Sequence, residues 1–129
     1  MNYNFHVYCL VCPIDKNIKY IGMTQNIKHR LDCHFYSPLK CTKKWILNLK
    51  EKGLKPILKI LQSFESNCYL DRNFALASEF IWINEFKNNG IFNVSVPKIE
   101  NIYPTFLKKV EIETNDKINA YYESLKLAK

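Results

Sequence analysis

Apolar and polar positions change period several times along the chain, and each change predicts an element. Residues 7–12, VYCLVC, form a β-branched and aromatic run, the pattern of a buried strand. Pro13 to Asn17 supply turn formers, and residues 18–24, IKYIGMT, read as a second strand antiparallel to the first. From Asn26 the period becomes helical. Ile27, Leu31 and Phe35 step by four and make one apolar stripe, which Ser37-Pro38 ends. Thr42 is placed to cap a second helix, TKKWILNLKEKG, with Trp45, Ile46 and Leu49 inward and Gly53 at its close. Pro56 precedes a short apolar strand, ILKIL.

In the second half, Asn67 opens a long helix that runs to Asn88, where Asn89-Gly90 stops it. Its apolar residues lie nearly all round, as in a core helix. Residues 91–95, IFNVS, read as a short strand, and residues 97–114 as a linker with a strand at VEIE. From Asn115 the pattern is amphipathic, with Ile118, Tyr122 and Leu125 on one side. The predicted order is ββααβαβ with a helical tail. Two adjacent strands at the start imply an antiparallel or mixed sheet, hence an α+β fold.

Composition narrows the class. At 129 residues the chain makes one domain with a short appendage. A content of 47% hydrophobic and 14% aromatic residues excludes a disordered chain. No apolar run reaches the ~18 residues of a membrane span, and the N-terminus does not read as a signal peptide. The five cysteines are odd in number and irregularly spaced, which fits reduced thiols in the cytoplasm of a prokaryotic or phage-infected cell. Cys9-x-x-Cys12 has a metal-knuckle spacing but lies in a strand, where residues i and i+3 face opposite ways. Lys, Asn, Ile and Tyr together supply 53 residues, a bias towards AT-rich codons such as those of a phage.

The net charge of +7 is one-sided. Residues 1–60 carry 11 Lys/Arg and three acids; residues 61–129 carry eight and nine. A basic half points to a polyanion, above all nucleic acid.

Three features could carry chemistry. Glu79 has Ala75, Leu76, Trp82 and Ile83 as its helical neighbours, all apolar. A carboxylate so placed either points to solvent or is paired with a metal ion or cation. Arg30 and His34 are four apart and share one helix face, and Arg30 is one of only two arginines beside 17 lysines. Tyr8 and Tyr20 sit on the two predicted strands, where aromatic residues ordinarily pack.

The ordered set of these residues is informative. His6-Val7-Tyr8 is followed after twelve residues by Tyr20-Ile21-Gly22, then Thr24, Arg30 and His34. Trp45-Ile46, Leu49, Gly53 and Pro56 come next, then Glu79 with Trp82-Ile83, and finally Asn93 after Gly90. Over residues 6–95 this closely resembles the GIY-YIG nuclease family. The resemblance implies a small central antiparallel three-stranded sheet flanked by helices, here with a C-terminal helix added. It implies DNA phosphodiester cleavage with one divalent ion, magnesium, for which manganese can substitute.

By motif position, Tyr8 and Tyr20 would be the catalytic tyrosines and Arg30 the phosphate-binding arginine. Glu79 would be the metal ligand and Asn93 the late active-site asparagine, and His34 falls at a position several members use. A nearby metal and Arg30 are expected to lower Tyr8 towards phenolate, with His34 relaying its proton. The family's first-tripeptide glycine and isoleucine are His6 and Val7 here. Met23 stands where some members have a phosphate-contacting lysine.

Gly22, Lys28, Lys43 and Lys44 are the expected DNA contacts, with Lys40 in the same cluster. The nuclease domain is expected over 1–96, with 97–129 as an extension packed on it. About 34 residues after Ser95 are too few for a separate DNA-reading domain, which leaves room for a homodimer or a helper protein. The competing reading is a non-catalytic nucleic-acid-binding module that keeps the fold.

Overall fold

In the computed structural model, residues 2–94 and 104–127 are described. Strands β1 (Tyr3–Val11) and β2 (Ile18–Thr24) are followed by helices α1 (Ile27–Tyr36) and α2 (Lys43–Glu51). Strand β3 (Ile57–Ser66), a 3₁₀ turn (Tyr69–Asp71), helix α3 (Arg72–Phe86) and helix α4 (Pro104–Leu127) complete it. The sheet order is β2-β1-β3, antiparallel throughout. This is the expected α+β architecture.

The central strand is buried on both faces, which explains its unbroken apolar run. Phe5, Val7, Cys9 and Val11 join a core with Ala75, Trp82, Ile83 and Phe86 of α3. On the opposite pleat Tyr8 lies across from Gly22, and Leu10 across from Tyr20. A bulge at Lys19 changes the pairing from Leu10–Tyr20 to Val11–Ile18. Ile18 therefore reaches the core while Tyr20 stays on the Tyr8 face. Cys9 and Cys12 are both free and buried.

The helix ends follow local chemistry. The Asn26 side chain accepts from the His29 N–H at 3.0 Å and starts α1. Gly53, at φ +68°, ends α2. There Gly53 N–H donates to Lys50 and Leu54 N–H to Leu49, a paired closure that a left-handed glycine allows. Thr42 precedes α2 as expected, but its hydroxyl makes no cap bond and donates back to the Leu39 carbonyl instead.

Four expectations about the second half change. Strand β3 runs five residues past ILKIL, because its whole length pairs with β1. The segment after Asn67 forms a 3₁₀ turn before α3 begins at Arg72. Residues 91–94 form no strand, although Phe92 N–H donates to the Lys19 carbonyl on the open edge of β2. VEIE lies inside α4, which starts at Pro104 rather than Asn115. Val110, Thr114 and Ile118 step by four and are its buried residues. Packing that face on the body of the domain outweighs the local strand preference of Val-Glu-Ile-Glu. Tyr121 sets its ring against Trp82 and Phe86 of α3, so the extension is docked there. Residues 95–103, which hold the rest of the expected linker, lie outside the described residues.

Candidate active site

Tyr8 is the chemical centre of the sheet's second face. It is fully buried at the middle of β1. Its hydroxyl shares a 2.6 Å hydrogen bond with His34 Nε2, and Arg30 Nε donates to the same oxygen at 3.2 Å. Both partners come from α1, four residues apart, so one helix face delivers them together. His34 is the most buried residue of that helix, deeper than Ile27, Leu31 or Phe35. The ring of Tyr20 lies 6.4 Å from Tyr8 and 5.1 Å from His34, closing the cluster.

Gly22 answers a steric need. A Cβ at this position would stand 2.6 Å from the Tyr8 hydroxyl oxygen and 3.0 Å from the Tyr20 ring. Only glycine leaves room for the tyrosine to cross over β2.

Asn93 is occupied by the backbone. Its Oδ1 accepts from the Ile21 N–H at 3.0 Å and its Nδ2 donates to the Ile21 carbonyl at 2.8 Å. The side-chain amide thus stands in for a peptide group and pairs the open edge of β2 beside Tyr20.

Glu79 sits on α3 and is half-buried, and its helical neighbours Ala75, Trp82 and Ile83 belong to the core. Among the described residues no cation lies within 4 Å of its carboxylate. Burial pushes its pKa up to about 7, against weaker pulls from Arg72 and Arg30. Its charge in turn acts on Tyr8 and Tyr20, so Glu79, Arg30, Tyr8 and Tyr20 share one electrostatic site. Beside it, Gln62 Oε1 accepts from Ser78 Oγ at 2.9 Å and Trp82 Nε1 at 3.3 Å, fixing the middle of α3 to β3. Among the described residues no three His, Cys, Asp or Glu side chains form a metal-binding group.

Within the protein alone, burial sets the protonation states of these groups. Burial raises the Tyr8 pKa well above that of a free phenol and outweighs Arg30, which pulls it down. The protein surroundings of Tyr8 therefore favour the phenol. Tyr20 is raised for the same reason. His34 is driven down to about 4 by burial and by the Arg30 charge, so at neutral pH it is an uncharged imidazole. With Arg30 donating to the Tyr8 oxygen, the neutral ring is free to accept the Tyr8 proton at Nε2.

Residues 4–91 match the family model of the GIY-YIG catalytic domain, which spans well over half of the chain. The chain belongs to the GIY-YIG family. That is a nuclease family whose members act on DNA. Neither a curated protein nor a solved structure matches the chain. Helix α4 lies beyond the matched residues and is an addition to the GIY-YIG core.

An open cavity of ≈ 330 Å³ adjoins the tyrosine cluster, lined by Tyr20, Arg30 and Asn93 on one side and by the α1–α2 turn, Leu39 to Cys41, on the other. Lys28, Lys43 and Lys44 do not line it. Lys40 does. The sequence signal for this was the turn chemistry of Ser37-Pro38 ahead of Thr42, which keeps Lys40 off both helices. No helix among the described residues is long and apolar enough to cross a membrane.

Proposed function

We propose that this GIY-YIG protein is a divalent-metal-dependent DNA endonuclease that hydrolyses phosphodiester bonds. The observation that carries the reading is the Tyr8 oxygen, held between His34 Nε2 and Arg30 Nε and within the field of Glu79. A module that only bound nucleic acid would need charge on its surface. It would not need a buried phenol bonded to a neutral imidazole.

The geometry supports the following roles. Water attacking phosphorus must lose a proton. Tyr8 can take it on oxygen while passing its own proton to His34 Nε2, so no free phenolate is required beforehand. Arg30 stays charged, with its pKa raised by its bond to Tyr8, and its remaining N–H groups can meet the equatorial phosphate oxygens. The phosphate's negative charge offsets the imidazolium that Arg30 would otherwise oppose. Asn93 and Gly22 keep β2 and Tyr8 in place.

The Glu79 carboxylate fits a hard divalent cation. It is half-buried, with no cation within 4 Å among the described residues, and held above its ordinary pKa by burial. Magnesium needs only one or two carboxylates because it keeps most of its waters, and manganese takes the same donors. Bound at Glu79, such an ion supplies positive charge for the leaving 3′ oxygen.

Purified protein would be incubated with supercoiled, branched and single-stranded DNA, in magnesium or EDTA, beside Tyr8→Phe and Glu79→Ala. Metal-dependent nicking by wild type alone is expected. Binding to DNA without cleavage of any substrate would replace this reading with the binding module.

A further inference from the structure

We propose that Lys40 is a second phosphate-binding cation of this site, presented by a locked β-turn to the DNA phosphate next to the one at Arg30. The proposal rests on the nuclease reading and deepens it. Among the described residues, the cavity beside Tyr20 is lined by two cations, Arg30 and Lys40, and by no carboxylate. Its volume of ≈ 330 Å³ lies at the low end of the roughly 300–1,000 Å³ range of small-ligand sites. Tyr8 does not line it, so it lies beside the reacting hydroxyl rather than over it. Arg30 spans the two, bonded to the Tyr8 oxygen on one side and facing the cavity on the other. A DNA strand with one phosphate at Arg30 and Tyr8 would lay its neighbouring nucleotide in this cavity. Leu39 and Val94 offer apolar surface for the sugar, and Lys40 a charge for the next phosphate.

The turn that carries Lys40 is rigid for a local reason. Thr42 N–H donates to the Leu39 carbonyl at 3.1 Å, and the Thr42 hydroxyl donates to the same oxygen at 3.3 Å. Thr42 itself is fully buried. Lys40 and Cys41 are thus the two corner residues of a β-turn closed twice by one residue. Among the described residues no carboxylate lies within 4 Å of the Lys40 ammonium, so its charge is not spent within the protein. Lys43 and Lys44, one turn on, stand at the start of α2 and lack this cavity.

The test is DNA affinity against salt, read by fluorescence anisotropy on labelled duplex in EDTA, together with steady-state nicking in magnesium. Wild type would be compared with Lys40→Ala, Lys40→Arg, Thr42→Val and Lys126→Ala, the last a lysine paired with Glu123 on α4. Removing one phosphate-binding cation should make the log–log salt slope shallower by about 0.9 for duplex DNA, with affinity lower on the order of tenfold. Lys40→Ala should show both, and raise KM with kcat little changed. Lys40→Arg should restore the slope, Lys126→Ala should leave it alone, and Thr42→Val should weaken binding in the direction of Lys40→Ala. An unchanged slope in Lys40→Ala, with wild type binding normally, would overturn the proposal and leave the nuclease reading intact. A fall in kcat with slope and KM unchanged would also overturn it, by moving Lys40 into the chemistry. Absence of salt-dependent DNA binding in wild type would bring down the nuclease reading and this proposal together.

Discussion

The Tyr8 hydroxyl occupies the space that a side chain on residue 22 would need: a Cβ there would lie 2.6 Å from its oxygen and 2.7 Å from its Cζ. Neither neighbour can yield cheaply, because Tyr8 is buried and bonded to His34 and Arg30. Gly22→Ala should therefore displace the phenol. The expected cost is about 1–3 kcal/mol of stability, as for other overpacked cores, with nicking activity falling at least as far as in Tyr8→Phe. In a Tyr8→Ala background the same Gly22→Ala change should cost little. Thermal melts of the four proteins of this double-mutant cycle check it, and additive losses would show that the two positions are independent.

Two buried groups give stability opposite slopes with pH. His34 titrates near 6.5 when unfolded and about 4 when folded, so the unfolded chain binds its proton first. That contribution is present above pH 6.5 and is lost as pH falls towards 4. Glu79 titrates near 4.5 unfolded and about 7 folded, so the folded chain holds its proton longer. That contribution is present below pH 4.5 and is lost as pH rises towards 7. The two windows overlap and offset each other in metal-free wild type. Glu79→Gln should reveal a loss of stability on acidification, and His34→Phe a loss on moving from about pH 4.5 to 7. Urea melts across roughly pH 4–7.5 measure both, and parallel curves for the two variants would contradict the assignment.

Magnesium should stabilise the folded protein through Glu79. Ligand at 100 times its Kd adds about 2.7 kcal/mol when it binds only the native state. A rising melting temperature is expected for wild type over a magnesium titration in the absence of DNA, and none for Glu79→Ala. An equal rise in both would place the ion elsewhere.

Asn93→Ala should uncover one peptide unit of β2 beside Tyr20. The Ile21 N–H and carbonyl would then be unpaired, at a cost of about 1–3 kcal/mol if they stay buried. Hydrogen exchange at Ile21 should speed up more than at Leu10 on the central strand. Should Ile21 keep its protection while catalysis is lost, Asn93 would belong to substrate binding rather than to the sheet edge.

The parts of the fold written in local periodicity were legible from residue order. The doubly buried β1, the stripe Ile27-Leu31-Phe35, and the Gly53 stop each depend on residues within a few positions of one another. The failures lie where a distant partner decides. VEIE is strand-like by residue type, yet its Val110 is packed under the domain with Thr114 and Ile118, and the helix wins. IFNVS reads as a strand, but the peptide group that would pair with Ile21 is replaced there by the Asn93 side chain.

The candidate site divides in the same way. Tyr8, Tyr20, Arg30, His34, Glu79 and Asn93 could be named from the ordered motif, and the unusual apolar surroundings of Glu79 were visible from helix spacing alone. Lys40 was only one lysine of a cluster until a turn closed by Thr42 set it against Arg30's cavity. The charge state of Tyr8 could not be read at all, because it depends on how much water the fold removes.

By itself the sequence determined which residues are candidates for chemistry, because side-chain type and helix or strand period are properties of neighbours along the chain. Tertiary structure alone decided which atoms meet. It placed the Tyr8 oxygen 2.6 Å from His34 over a glycine that must stay bare. It raised that phenol's pKa because burial acts more strongly than the single cation beside it. Desolvation and close approach are sums over the whole fold, and no stretch of sequence contains them.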